Sequence, residues 1–129
     1  MTPSSSPPSS TLRDTPDERI FDPAAGIEAM GSDESFQLIL ETVLESLSSS
    51  LPEIRQALDT GDVAKANGLL HAIKGYVPLM CTEWLVEQVN HVEGVSKTAA
   101  VTVVMPLYAD LEPILKRLLV EIQAYIDGN

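Results

Sequence analysis

The sequence predicts an all-α protein: an antiparallel up-down four-helix bundle with a short helix ahead of it. Three observations carry this. Apolar residues recur at steps of three and four through four long segments, the period of an amphipathic helix. No segment alternates apolar and polar residues between turn signals, so no sheet is expected. The connections between segments are short, which sets neighbouring helices antiparallel. With 129 residues, 44% of them hydrophobic, the chain can form one domain with a compact core.

Residues 1–20 precede the bundle. The first 19 hold four of the nine prolines and eight serine or threonine residues. Such a composition cannot bury enough apolar surface to offset the entropy of ordering, so a disordered Pro/Ser-rich tail is expected, with the bundle over 21–129. A short helix is expected over Pro23–Met30. The first long helix runs over 33–58 on the stripe Phe36, Leu40, Val43, Leu47, Leu51, Ile54 and Leu58, with Ser32 or Asp33 as N-cap and a bend at Pro52. Gly61-Asp62 then opens a helix that reaches about residue 79 on Val63, Ala66, Leu70, Ile73, Val77 and Met80. Another opens at Thr82 and carries Trp84, Leu85, Val89 and Val92 to about residue 96. The last stripe is Val104, Tyr108, Leu111, Leu115, Leu118, Ile122 and Tyr125, ending at Asp127-Gly128-Asn129. Interior prolines remove a backbone bond and kink a helix. This helix is therefore expected to start near Pro106 or bend at Pro113.

Charge and cysteine content narrow the function. Nineteen acidic against eight basic residues give a net charge of −11. That disfavours nucleic acid and anionic membrane surfaces, both of which recruit basic clusters. From Phe21 onward there are six basic and sixteen acidic residues, so the bundle itself is acidic. A lone cysteine, Cys81, builds no disulfide framework. No secretory signal and no membrane-spanning apolar run are visible, so a cytoplasmic domain without membrane insertion is expected. Glycine-rich nucleotide motifs are also missing, which speaks against an ATP site.

Few residues can carry chemistry. Glu87 and His91 are spaced i, i+4, which reads as a solvated helix pair, and Cys81 among Leu79, Met80 and Trp84 reads as a buried small hydrophobe. Two histidines and one cysteine lack the Glu-x-x-His pairs of a bundle metal site, so no metal is expected. His71 differs from these. It sits on the flank of the second long helix, with Asn67 and Gly68 one turn before it and Lys74 and Gly75 one turn after. Mid-helix glycines cost about 1 kcal/mol each relative to alanine. One reading is that the glycines clear the approach to an exposed imidazole beside a local cation, which suits an anion-transferring nucleophile. The other is that they serve close helix packing. Spacing leaves both open.

His71-Ala72-Ile73-Lys74-Gly75 resembles the His-x-Leu-Lys-Gly signature of histidine-containing phosphotransfer (HPt) domains, which are acidic four-helix bundles of this length. The resemblance extends from Phe21 to about Tyr125 and includes the short lead-in helix and the Gly61-Asp62 turn. It implies that His71 is the phosphorylated residue, through Nε2. It also implies that Lys74 attends the phosphoryl group or its surroundings and that Gly75 keeps the surface open, with Gly68 a further neighbour of the site. Asn67, Ala72, Pro78 and Leu79 become the expected docking residues. Tyr76, Pro78 and Cys81 depart from the usual pattern and resemble a bacterial subset with His-Ala-x-Lys-Gly-Tyr/Phe followed by Pro and Cys. The implied protein is a monomeric relay component and not an enzyme. It would exchange phosphate with the receiver domains of response regulators and of a hybrid histidine kinase, and it would need no cofactor, since Mg²⁺ sits on the receiver. Two other readings are an interaction module without phosphorylation and a metal or redox bundle built on His71, His91 and Cys81.

Overall fold

The computed structural model describes residues 18–128, so most of the expected tail lies outside the described residues. Five helices follow one another: α1 (Pro23–Met30), α2 (Asp33–Asp59), α3 (Val63–Met80), α4 (Glu83–Ser96) and α5 (Val101–Gly128). Among the described residues there is no β-strand, only an isolated antiparallel bridge between Phe21 and Cys81. The long helices pack as a closed ring, α2 on α3, α3 on α4, α4 on α5 and α5 on α2, with α1 laid over α2 and α3. This is the expected helical bundle with its short leading helix. None of these helices is long and apolar enough to cross a membrane.

Local chemistry sets the boundaries. The Asp22 carboxylate accepts from the Ala25 N–H and Pro23 opens α1, while Gly31 closes it in the left-handed region at φ 92°. Ser32 caps α2 through the Ser35 N–H, and Asp62 caps α3 through the Lys65 N–H. Thr82 precedes α4 without capping it; its hydroxyl instead donates to the Arg19 carbonyl at 2.6 Å. The predicted stripes of α2 and α5 are buried, apart from the half-buried Tyr125. At the centre, Tyr108 donates to the Leu51 carbonyl at 3.1 Å, and Arg55 lies over its ring in an ion pair with Glu112 at 2.6 Å. Gly26 is a close approach: a Cβ there would collide with the Phe36 ring.

Two expectations need correction. First, α5 starts at Val101, five residues before Pro106, and runs unbroken through Pro106 and Pro113. Each proline deprives the carbonyl four residues earlier, at Thr102 and Ala109, of its N–H partner. All four residues face solvent, where water can satisfy those carbonyls, so the breaking rule loses to the packing of the apolar face. Second, Glu18, Arg19 and Ile20 belong to the fold and not to the tail. Ile20 is fully buried, and its carbonyl accepts from Thr82 N–H at 3.0 Å. Asp22 N–H donates to the Met80 carbonyl at 2.8 Å, and Arg117 donates to the Glu18 carbonyl at 3.1 Å. Residues 18–22 thus form a strap across the α3–α4 turn.

Candidate functional site

The α3 helix places His71 near its middle. Ala66, Leu70, Ile73, Val77 and Met80 take the core face, which turns residues 68, 71, 72, 75, 78 and 79 to solvent. The His71 side chain is 69% exposed. Gly68 and Gly75 flank it one turn either side, and a Cβ at either would meet nothing within 4 Å. Close helix packing therefore does not require these glycines. What they do is leave the surface around the imidazole bare. Ala72, Pro78 and Leu79 extend that exposed patch.

Beneath it lies a residue that the sequence reading did not single out. Glu93, on α4, has a side chain only 1% exposed, yet it is a carboxylate. Its Oε2 accepts from the Asn67 amide at 3.2 Å and faces Nδ1 of His71 at 3.4 Å. Its Oε1 lies 3.3 Å from Nζ of Lys74 and 3.9 Å from Nζ of Lys97. Burial pushes the Glu93 pKa up. Hydrogen bonds from Lys74 and Asn67 and the charges of Lys74 and Lys97 outweigh that, so the group titrates below the ordinary glutamate value. An ionised carboxylate thus sits under the imidazole, ringed by cations. One signal in the sequence pointed to it: Glu93 follows Leu85 and Val89 at steps of four on the buried face of α4, an acid where an apolar residue is the rule.

Lys74 stands where it was expected, one turn from His71, with its ammonium on Glu93. Asn67, expected among the docking residues, turns its amide inward. It is half-buried, and its amide reaches across to α4, to the Glu93 carbonyl at 3.1 Å and Ser96 Oγ at 2.9 Å.

The remaining candidates are elsewhere. His91 and Glu87 are exposed on α4, and no hydrogen bond or ion pair joins them among the described residues. Cys81 is buried, and burial first, then the charges of Glu121 and Asp22, pushes its thiol up to about 12, so it holds no thiolate near neutral pH. Among the described residues, no three His, Cys, Asp or Glu side chains are placed to hold a metal ion. An open groove of about 830 Å³ between α2 and α5, lined in part by Glu41, Leu44 and Val120, includes neither histidine.

Chemically, the arrangement offers an accessible imidazole whose inner nitrogen faces a fixed anion. In a neutral ring, the proton then belongs on Nδ1, where Glu93 accepts it, and the lone pair belongs on Nε2. No family model, no curated protein and no solved structure matches the chain.

Proposed function

We propose that this domain is a phosphohistidine carrier of the HPt type, accepting a phosphoryl group on His71 from a receiver-domain aspartate and passing it to another. The observation that carries the reading is the pairing of an exposed His71 with the buried, ionised Glu93 at its Nδ1. The Nε2 lone pair attacks phosphorus in line. The N–P bond forms as the aspartyl O–P bond breaks, and the aspartate leaves as a carboxylate. Positive charge developing on the ring is shared through Nδ1–H with Glu93. Lys74 and Lys97, already within 4 Å of that carboxylate, offset the charge of the incoming phosphoryl group. Returning the group to a second aspartate reverses each step.

Mg²⁺ and the aspartate belong to the receiver, so the carrier needs no cofactor and no ATP site. It is a substrate and not an enzyme. Gly68, Ala72, Gly75, Pro78 and Leu79 form the docking patch, small enough for a transient complex below about 1,200 Å². Receiver domains of a hybrid histidine kinase and of a response regulator are the partners, in the cytoplasm, and the carrier acts as a monomer.

The test is incubation with a receiver domain carrying radiolabelled phosphate. Acid-labile, base-stable label is expected on the wild type and on His91→Gln, and none on His71→Gln. Label retained by His71→Gln sinks the assignment to His71, and no label on the wild type leaves the interaction-module reading.

A further inference from the structure

We propose that Asn67 is a positioning residue for His71: its amide holds Glu93 so that Oε2 meets Nδ1, fixing the ring as the Nδ1–H tautomer and leaving Nε2 free. The catalytic meaning of this lock rests on the reading of His71 as a nucleophile. The lock itself does not.

Asn67 lies one turn before His71 on α3 and points the same way along the helix. Its Nδ2 lies within 3.2 Å of three acceptors: Glu93 Oε2, the Glu93 carbonyl and Ser96 Oγ. A primary amide has two hydrogens, so the three acceptors share them, and the Ser96 hydroxyl donates to the same Glu93 carbonyl at 2.7 Å. Backbone and side chain of Glu93 are thus pinned by one group reaching over from α3.

The division of labour on the carboxylate gives Asn67 its role. Lys74 and Lys97 both approach Oε1. Oε2, the oxygen that faces the imidazole, is approached only by Asn67 and His71 among the described residues. The lysines hold the charge, and Asn67 holds the direction. Without it, a glutamate with three rotatable bonds keeps its cations on one oxygen and is free to turn the other away from Nδ1.

Two-bond ¹H–¹⁵N correlation spectra of the imidazoles report tautomer directly, on the full ¹⁵N-labelled chain at pH 8, with His91 as internal reference. The wild-type ring of His71 is expected as Nδ1–H. In Asn67→Ala and Asn67→Ser the Nδ1–H to Nε2–H ratio is expected to fall about fivefold, the effect of losing one ordinary hydrogen bond. Glu93→Ala should move the ratio the same way, and Asn67→Ala added to Glu93→Ala should move it no further, because Asn67 acts through Glu93. Far-ultraviolet circular dichroism establishes that each variant is folded; should Asn67→Ala not fold, Asn67→Ser carries the test. An unchanged ratio in the folded variant, or effects that add in the double variant, overturns the proposal. Because no phosphate is involved, a carrier that fails the label assay can still pass this one, and the reverse also holds.

Discussion

Glu93 is a carboxylate in the core wall, and a buried charge persists only where its partners outweigh its lost hydration. Here Asn67, Lys74 and Lys97 do so, and the lowered pKa fixes the sign of a pH effect. The group is protonated more readily in the unfolded chain. It therefore contributes stability that is full above the ordinary carboxylate range, near about pH 4.3, and that is lost as pH falls through the lower folded value. Urea midpoints measured from pH 7 down to about pH 3 should fall less steeply for Glu93→Gln than for the wild type; parallel curves would show that Glu93 is not held ionised. Much of this site was legible from local spacing, because His71, Lys74 and the two glycines lie within two turns of one helix. Glu93 was not, because it reaches them across 22 residues of chain. The same distance explains Asn67. A polar residue beside a candidate nucleophile reads as surface until the facing helix shows where its amide goes.

At the scale of the element, α3 gives up stability at two places where nothing in its packing asks for it. Gly68 and Gly75 have open space where a methyl would go. Gly68→Ala and Gly75→Ala should therefore each stabilise the protein by up to about 1 kcal/mol in chemical denaturation. The same methyls stand on the proposed docking patch, so on that proposal phosphotransfer from a receiver should slow in both; stabilisation with undiminished transfer would show that the bare surface is not used. Helix boundaries were legible wherever a cap marks them, as at Asp22, Ser32 and Asp62. The start of α5 was not, because local rules give proline a fixed penalty. The actual cost depends on whether the deprived carbonyl faces water or the core, which is a tertiary fact.

Over the whole molecule, charge is unevenly spread. The α3 helix carries Lys65 and Lys74 and no acid, whereas α2 carries six acids against Arg55 alone. The net charge of −11 thus surrounds a site that holds its own cations. Like charges slow encounter, and salt screens them over a Debye length of about 8 Å at physiological ionic strength. Association with a net-acidic receiver should accordingly quicken as salt rises from about 20 to about 200 mM. A stopped-flow rate that falls instead would point to attraction through the α3 lysines.

The strap of residues 18–22 has a consequence for reach. It fastens the N-terminal side of the chain to Cys81, ten residues along from His71, or about 15 Å at 1.5 Å per residue. The fastening point at Cys81 thus lies within about three helical turns of the imidazole, and the chain ahead of it runs to Glu18, whose carbonyl accepts from Arg117 on α5. A donor attached there would meet His71 at an effective concentration in the millimolar range, about that of a short flexible linker. Such a fusion would convert an encounter between molecules into a step within one.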